Sequence, residues 1–293
     1  MKIIGTFAET RALATGAVGL VPTMGFLHEG HVSLMERARR VCDTLVASLY
    51  VNPTQFDERG DFDRYPRDLD RDAAIAAAAG VDILFAPDDD EMYPNHPVTA
   101  VSLPALTDRM EGAHRPGHFE GVATVVAKLL AGIQPQTAFF GRKDAQQLAV
   151  ISSMAADLSF PVDIVGGSIV REHDGLALSS RNIFIENRDA ACTLSSALMT
   201  AADAYERGVV DGAELESLVV ETVKGADVEY VELADARTTE RLVSLDRPAF
   251  LAIAARVGSV RLIDNVFFSG SPLAADRGTN LDAPSLLYGQ GDA

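Results

Sequence analysis

Short apolar runs alternate, along the first 175 residues, with longer segments whose apolar positions recur every three or four residues. The short runs fit buried β-strands, and the longer periodic segments fit amphipathic helices. Because strands and helices alternate, we expect an α/β fold with a doubly wound, Rossmann-like parallel sheet. The predicted strands are 18–23, 44–51, 82–86, 137–141 and 162–170, and the clearest predicted helices are 67–79, 120–133 and 144–158.

The order of elements changes after residue 175. Two helical patterns precede three β-type runs, at about 188–207, 212–224, 230–233, 249–255 and 260–268. We therefore predict a large domain over 1–174 and a smaller α+β domain over 175–269. Residues 270–293 are rich in Gly, Ser, Pro and Asp, a composition that predicts a disordered tail.

Composition narrows the class of protein. The 293-residue chain is 47% hydrophobic, has a formal net charge of −17 and contains two cysteines that form no motif. Binding to nucleic acid requires clustered Lys and Arg, so the acidic balance argues against a nucleic-acid partner. No apolar run approaches the roughly 18 residues of a membrane span, and the N-terminus lacks the pattern of a signal peptide. We expect a cytoplasmic protein with no membrane partner.

The most informative polar cluster is Val21-Pro-Thr-Met-Gly-Phe-Leu-His-Glu-Gly-His31, which lies between a predicted strand and a helical pattern. His28 and His31 are expected on one face of the first helical turn. Free N–H groups and the positive end of the helix dipole favour anions there, which predicts a phosphate site. A metal pair and two surface histidines are the alternatives. Zinc is disfavoured because neither the H-E-x-x-H spacing nor a third soft ligand is evident.

Two further polar loops follow predicted strands. Asn52-Pro-Thr-Gln55 presents a pair of amides, and Gln55 suits a substrate that carries hydroxyl and carboxylate groups. Lys143 stands where a strand becomes a helix, a position that favours a cation only when an anion lies beside it. Asp144 is a candidate magnesium ligand, through water, and Gln147 lies one turn further on. Ordinary polar turns are the alternative for both loops.

Two arginine-bearing loops complete the set of candidates. Ser179-Ser-Arg181 combines two hydroxyls with a guanidinium, a combination that suits a phosphate clamp near the predicted domain junction. The alternative is a helix cap with an exposed arginine. Arg115 precedes the 120–133 helix, and we expect it either to anchor a carboxylate or only to bridge loops.

These loops belong to an ordered series of motifs: Pro22-Thr-Met-Gly-Phe-Leu-His-Glu-Gly-His31, Val51-Asn-Pro-Thr-Gln-Phe56, Tyr65-Pro-Arg67, Met92-Tyr-Pro94, Arg115-Pro-Gly-His-Phe119, Gly141-Arg-Lys-Asp144, Gln146-Gln-Leu148 and Asp174-Gly-Leu-Ala-Leu-Ser-Ser-Arg-Asn182. Over residues 20–185 the series resembles the pantothenate synthetase (pantoate–β-alanine ligase) family of the nucleotidyltransferase superfamily, whose first helix opens with a His-x-Gly-His-type sequence. Four residues depart from the family's usual pattern: Phe26 stands for alanine, Arg142 for glutamate, Ala145 for tyrosine and Leu178 for methionine.

The resemblance implies an ATP-dependent ligase of the coenzyme A pathway, with Mg²⁺ as cofactor and a homodimer as the assembly. In the implied reaction (R)-pantoate and ATP give pantoyl adenylate and pyrophosphate, and β-alanine then displaces AMP to form pantothenate. The smaller domain is expected to act as a lid over this chemistry. An adenylyltransferase of the same superfamily and a catalytically silent nucleotide-binding module are the alternatives.

The resemblance also implies a role for individual residues. The catalytic residues are expected to be His28, His31, Lys143 and Arg181. The ATP-binding residues are expected to be Pro22, Met24, Gly25, His28, Gly30, His31, Gly141, Arg142, Lys143, Asp144, Val170, Leu178, Ser179, Ser180 and Arg181. The residues expected to contact pantoate or β-alanine are Met24, Asn52, Gln55, Tyr65, Arg115, Val125, Val126 and Gln147.

Overall fold

The computed structural model describes residues 1–56, 59–94, 98–270 and 273–288. These residues form two compact units. The first unit comprises Met1–Gly141 and Val150–Gly167, and the second comprises Arg142–Ala149 and the described residues from Ser168 onward. No helix in these ranges is both long and apolar enough to cross a membrane.

The first unit is built on a parallel sheet. Its strands are β1 (Lys2–Ile4), β2 (Val18–Thr23), β3 (Thr44–Leu49), β4 (Ile83–Phe85), β5 (Thr137–Gly141) and β6 (Asp163–Gly167). Its helices are α1 (Phe7–Leu13), α2 (Glu29–Arg39), α3 (Arg59–Arg64), α4 (Leu69–Ala78), α5 (Asp89–Met92), α6 (Pro104–Thr107), α7 (Met110–His114) and α8 (His118–Ile133), and α9 (Ala145–Asp157) spans both units.

The six strands of this sheet, as far as the described residues show it, lie in the order β1-β4-β3-β2-β5-β6 and pair in parallel. The predicted doubly wound sheet is confirmed. Chain order reverses between β2 and β5, which pair through Gly19 with Thr137 and Leu20 with Ala138. Ligands of such sheets bind beyond the carboxyl ends of the strands at this switch point. The histidine loop follows the carboxyl end of β2, and Lys143 follows that of β5.

The apolar pattern explains why these strands form. Residues Thr44–Ser48 of β3 are buried on both faces, as expected for a central parallel strand covered by helices. Leu34, Met35 and Ala38 of α2 pack on this sheet at helical spacing. The predicted strand 162–170 is wrong as a single element, because β6 ends at Gly167 and a separate strand begins at Val170.

The second unit contains a mainly antiparallel sheet and two long helices. Its elements are β7 (Val170–Arg171), α10 (Arg188–Glu206), α11 (Gly212–Thr222), β8 (Asp227–Asp235), β9 (Ala249–Val257), β10 (Val260–Phe268), β11 (Ala275–Asp276) and β12 (Thr279–Asn280), with 3₁₀ turns at Ser180–Phe184 and Leu286–Tyr288. The antiparallel strands lie in the order β11-β10-β9-β8, and the alanine-rich face of α10 is buried in the core of this unit. This arrangement is the smaller α+β part expected from the sequence.

The boundaries of the units differ from the predicted domains. Val170–Arg171 falls in the second unit because β7 pairs with β12 and because the buried Arg171 forms an ion pair with Asp264. The expectation of a disordered tail is wrong for residues 273–288, since β11 pairs with β10 and β12 pairs with β7. Residues 271–272 and 289–293 of that predicted tail lie outside the described residues.

Candidate active site

The loop from β2 to α2 is held by a buried carboxylate. Gly25 has φ +86, a conformation that favours glycine, and the chain then turns into α2. Asp72 of α4 accepts the backbone N–H groups of Phe26 and Leu27, at 2.6 and 2.7 Å, and its side chain is almost fully buried. Burial raises the pKa of Asp72, although these two hydrogen bonds and the Arg71 guanidinium favour its charged form. Sequence reasoning missed Asp72, because an aspartate in the first turn of a helix ordinarily faces solvent.

The two histidines form a reciprocal cap at the start of α2. His28 is the N-cap residue, and its Nδ1 accepts the N–H of Gly30 at 3.1 Å. The N–H of His28 donates to Nδ1 of His31 at 3.2 Å, and the ring centroids are 4.1 Å apart. A Cβ at position 30 would lie 2.9 Å from the His28 ring, so the glycine makes room for this cap. The predicted placement of both histidines on the first turn is confirmed.

The Asn52–Gln55 loop also follows a strand of this sheet, and its amides are oriented by neighbouring groups. Asn52 donates through Nδ2 to Oε1 of Gln55 at 3.0 Å, while its Oδ1 accepts the hydroxyl of Tyr93 at 2.7 Å. Since Oε1 of Gln55 is used as an acceptor, the Nε2 donors of Gln55 lie on the other side of the amide. Asn52 is buried, with 1% exposure, and therefore serves to fix Gln55.

The Arg115 loop supports the backbone of Gln55. Arg115 donates to the carbonyl oxygen of Gln55 at 3.2 Å, and Nδ1 of His118 lies 2.8 Å from the same oxygen. Gly121 of α8 lets the helix approach closely, because a Cβ there would lie 2.4 Å from the carbonyl oxygen of Thr54. These contacts favour loop bridging, one of the two expectations for Arg115.

The other residues of the first unit that are expected to contact substrate are mostly apolar and mostly buried. Val125 and Val126 of α8 are buried, and Tyr65 is buried edge-on against Phe56 at a centroid distance of 5.8 Å. Met24 is partly exposed in the loop after β2. Their contact with pantoate or β-alanine stays a prediction.

In the second unit, Lys143 and Asp144 lie in the turn that precedes α9. The Lys143 ammonium is 3.8 Å from Oδ1 of Asp144, and the side chains are 20% and 46% exposed. Asn265 of β10 donates through Nδ2 to the carbonyl oxygens of Arg142 and Lys143, at 3.0 and 2.7 Å. These bonds place residues 142–149 with the second unit. Gln147, the third residue of α9, is partly exposed.

Arg142 is already paired. Its guanidinium donates to Asp276 at 2.7 Å and lies 5.0 Å from the ring centroid of Phe267. Arg142 is one of the expected ATP-binding residues, but the Asp276 carboxylate offsets the charge of its guanidinium. Ala145 and Leu178, two other departures from the family pattern, are buried.

The Ser179–Arg181 loop forms a 3₁₀ turn that is held in place by hydrogen bonds and ion pairs to buried side chains. The Ser179 hydroxyl accepts the N–H of Arg181 at 3.3 Å, which is the cap that one alternative predicted. Asn182, with 3% exposure, donates to the carboxylate of Glu172 at 2.8 Å. Arg188 pairs with Glu172 and with Asp174, each at 2.5 Å. Arg181 is partly exposed next to this network in the chain. Its contact with phosphate stays a prediction.

The network of ion pairs has its clearest electrostatic effect on the pKa of Asp174. Burial alone would raise the pKa of Asp174, but hydrogen bonds from Arg188 and from the N–H of Leu176 outweigh it and lower the pKa to about 2. The same ion pairs raise the pKa of Arg188. Sequence reasoning identified neither Glu172 nor Arg188 as a support for this loop.

Comparisons with known proteins identify the family. A sequence model of the pantoate–β-alanine ligase family matches residues 2–267. The chain belongs to the pantoate–β-alanine ligase family. It is 47% identical over 276 residues to a pantothenate synthetase of Pelotomaculum thermopropionicum, covering 90% of this chain and 98% of that protein. It is 50% identical over 254 residues to a pantothenate synthetase of Heliobacterium modesticaldum, covering 85% and 90% of the two chains.

Solved structures of the pantoate–β-alanine ligase family share the fold. The crystal structure of pantothenate synthetase from Thermus thermophilus matches with a TM-score of 0.86 and 46% identity, covering 90% of this chain and 98% of that one. The pantoate–β-alanine ligase from Francisella tularensis, complexed with βγ-ATP and β-alanine, matches with a TM-score of 0.70 and 32% identity, covering 90% and 97%.

Proposed function

We propose that this chain is an ATP-dependent ligase that condenses (R)-pantoate with β-alanine through a pantoyl-adenylate intermediate. The observation that carries the proposal is the mutual cap of His28 and His31 at the switch point of a parallel sheet, in a chain of the pantoate–β-alanine ligase family. In this cap both rings use Nδ1 as an acceptor, so each neutral ring holds its proton on Nε2. Two Nε2–H donors at a helix N-terminus suit phosphate oxygens.

In the first step, a carboxylate oxygen of pantoate attacks the α-phosphorus of ATP. The bond from that phosphorus to the bridging oxygen breaks, and pyrophosphate leaves with the electron pair. We assign His28 and His31 to the oxygens that gain charge, and Lys143 and Arg181 to the triphosphate. Ser179 and Ser180 add hydroxyl donors to this set. Such positioned donors stabilise a developing charge by about 2.7–4 kcal/mol each.

We assign the remaining ATP contacts mainly to backbone and to small residues near the strand ends: Pro22, Met24, Gly25, Gly30, Gly141, Val170 and Leu178. Arg142 has no assigned contact in this mechanism, because its guanidinium is paired with Asp276. Pantoate is assigned to the Gln55 loop. The amide donors of Gln55 suit its hydroxyl and carboxylate groups, and Gln147 supplies a second amide. Val125 and Val126 suit its gem-dimethyl carbon, next to Tyr65.

In the second step, the amine of β-alanine attacks the acyl carbon of the adenylate. The carbon–oxygen bond to AMP then breaks, the nitrogen loses a proton, and pantothenate is released. Both steps depend on the alignment of reactants and on the stabilisation of charge. A lid role of the smaller domain would shield the water-sensitive adenylate.

Magnesium fits this proposal only as an ion carried largely by ATP. In the described ranges no three His, Cys, Asp or Glu side chains are grouped so as to hold a metal. Magnesium ordinarily takes one or two carboxylates together with substrate phosphates and waters. Asp144, whose side chain is 46% exposed, would supply that one carboxylate through water. When bound, the ion would neutralise charge on the phosphate oxygens.

We further propose a cytoplasmic homodimer whose partners are the small molecules ATP, pantoate and β-alanine, with no nucleic acid. The −17 net charge of the chain supports the last point.

The decisive experiment measures pyrophosphate release from ATP and Mg²⁺, first with pantoate and then with β-alanine added. We expect a stoichiometric burst with pantoate alone and steady turnover after addition of β-alanine. A dinucleotide-like product from a phosphate-ester acceptor would favour an adenylyltransferase instead. Tight ATP binding without pyrophosphate release under any of these conditions would favour a silent nucleotide-binding module.

A single variant, read out on two substrates, tests the pantoate assignment. Gln55→Ala removes the assigned donors, and we expect at least a tenfold rise in the KM for pantoate with little change in the KM for ATP. Unchanged pantoate affinity in this variant would refute the assignment.

A further inference from the structure

Residues 273–288, here called the C-terminal strap, lie beyond the part of the chain that the family model matches, which ends at residue 267. The strap is nevertheless built into the second unit. Its strand β11 pairs with the end of β10, and its strand β12 pairs with β7. Arg277 of the strap also forms ion pairs with Asp203 and Glu206 of α10.

The first set of hydrogen bonds from the strap is made to the turn that carries Lys143. Asp276 accepts hydrogen bonds from Arg142 at 2.7 Å and from the Ser168 hydroxyl at 2.8 Å. Arg142 immediately precedes Lys143, and its guanidinium also stacks on the ring of Phe267. The Arg142 guanidinium therefore links the strap carboxylate of Asp276 to the turn of Lys143.

The second set of contacts is made to β7, which begins the segment that leads to the Ser179–Arg181 loop. Thr279 pairs with Val170, and the N–H of Leu281 donates to the carbonyl oxygen of Arg171 at 2.8 Å. The buried Arg171 guanidinium donates to the carbonyl oxygen of Arg277 at 2.6 Å. The strap thus forms one side of β7, a strand of only two residues.

The third set of hydrogen bonds leads through Glu172 to the turn that carries Arg181. The hydroxyl of Tyr288 donates to Oε1 of Glu172 at 2.9 Å and accepts from Arg188 at 2.7 Å. The same Oε1 accepts from Asn182, the residue that follows Arg181. Tyr288 and the residue next to Arg181 are therefore held by the same carboxylate oxygen.

We propose that the C-terminal strap is a positioning element for ATP, in which Asp276 aligns the turn of Lys143 and Tyr288 aligns the turn of Arg181. This inference rests on the proposed function, because the ligand of both cations is the triphosphate of ATP. The strap contacts residues next to Lys143 and, through Glu172, next to Arg181. Loss of these contacts should therefore weaken ATP binding and slow the adenylation step. Attack by β-alanine on the formed adenylate does not depend on the strap.

The test compares Tyr288→Phe and Asp276→Asn with the control Tyr205→Phe. The control removes a buried hydroxyl of the second unit that has no hydrogen-bond partner among the described residues. Steady-state kinetics with ATP, pantoate and β-alanine varied in turn are measured for each protein, together with the melting temperature. For Tyr288→Phe and for Asp276→Asn we expect kcat/KM for ATP to fall roughly tenfold, the loss that follows from one charge-assisted hydrogen bond. The KM for β-alanine and all values of Tyr205→Phe should stay within about twofold of wild type.

Two results would overturn the inference. One is an unchanged kcat/KM for ATP in both strap variants. The other is a lower melting temperature with unchanged kinetics, which a purely structural role would produce. If Asp276→Asn does not fold, Arg142→Gln removes the other partner of the same ion pair. The same fall in kcat/KM for ATP is then expected of Arg142→Gln.

A failure of the proposed function gives a different pattern, since the wild-type protein would then form no pantothenate. Calorimetric titration with ATP still decides the role of the strap in that case. Weaker ATP binding by both strap variants than by Tyr205→Phe would support the inference, and equal binding would overturn it.

Discussion

The N–H of His28 donates to Nδ1 of His31, and the centroids of the two rings lie 4.1 Å apart. His28 in turn uses its own Nδ1 to accept the N–H of Gly30. Each ring thereby satisfies one of the backbone N–H groups that the start of a helix leaves unpaired. Because Nδ1 accepts a hydrogen bond in both rings, each neutral ring carries its proton on Nε2. The same cap thus stabilises α2 and selects the Nε2–H tautomer on which the proposed phosphate contact depends.

Replacement of His31 by alanine tests this dual role. We expect kcat to fall about 10²–10³-fold, the usual loss when a donor to transition-state charge is removed. The lost cap should also cost about 1 kcal/mol of stability. Single-turnover pyrophosphate release and urea unfolding measure the two effects. The exposed His173 provides a control, since His173→Ala should change neither. A His31→Ala enzyme with near-normal kcat would show that the histidine serves only as a cap.

Asp72 offers a second test, because it holds the histidine loop without any expected contact to substrate. Asp72→Asn keeps the size of the side chain but presents an NH₂ group to one of the two N–H donors of Phe26 and Leu27. We expect a loop shift that lowers kcat at least tenfold and a loss of stability of about 1–3 kcal/mol. The KM for β-alanine serves as the internal reference. Reduced stability with unchanged kcat would show that the carboxylate supports the fold but not the alignment of His28.

The contrast between these residues shows what can be predicted from the sequence. The strands Val18–Thr23 and Thr137–Gly141 match their predicted bounds, because a short apolar run followed by a turn is a local signal. Asp72 gives no such signal. It resembles its neighbours Asp68 and Asp70, and only its contacts with the backbone of Phe26 and Leu27, 46 and 45 residues away, explain its burial. Polar residues that support a loop from a distant element are therefore the part of the site that sequence patterns miss.

The strap illustrates the same limit in the fold. Its strands β11 and β12 are two residues long and carry no apolar periodicity. They form because β10 and β7 supply paired backbone groups and because Arg142 and Arg171 reach residues 276 and 277. A composition rich in Gly, Ser, Pro and Asp predicts disorder only when no such partner exists. The partner cannot be inferred until the fold is known.

Gly121 provides a third test, of the packing between α8 and the Gln55 loop. A methyl group at this position would lie 2.4 Å from the carbonyl oxygen of Thr54 and 2.8 Å from the N of Gln55. Gly121→Ala must therefore displace the loop, and we expect a cost of about 1–3 kcal/mol together with a higher KM for pantoate. Gly60→Ala is the matched control, because Gly60 is also helical and a Cβ there would have no atom of the described residues within 4 Å.

The control should be neutral or stabilising by up to about 1 kcal/mol, since alanine is the better helix former. Equal stability and equal pantoate KM in the two alanine variants would mean that α8 and the Gln55 loop separate without cost, contrary to the proposed support of Gln55 by α8.

The ion pair of Asp174 with Arg188 predicts a definite pH dependence of stability. The pKa of Asp174 is lowered from 3.8 to about 2 in the folded protein, so the pair contributes stability that is fully present above about pH 4 and is lost as the pH falls toward 2. The pair is partly exposed to solvent, and we expect Asp174→Asn to cost only about 1 kcal/mol at pH 7. Urea unfolding of wild type and variant between about pH 7 and about pH 2.5 measures the difference. It should stay constant down to about pH 4 and shrink below that value.

Asp227→Asn, at an exposed carboxylate that begins β8, is the control for this last test and should change stability little at any pH. The Asp174→Asn difference should exceed that of the control at neutral pH and converge with it in acid, because protonation of Asp174 removes the same charge that the amide removes. A difference that disappears already at about pH 5, or that grows on acidification, would show that the Asp174 carboxylate is not the group that holds Arg188 and the Ser179–Arg181 loop in place.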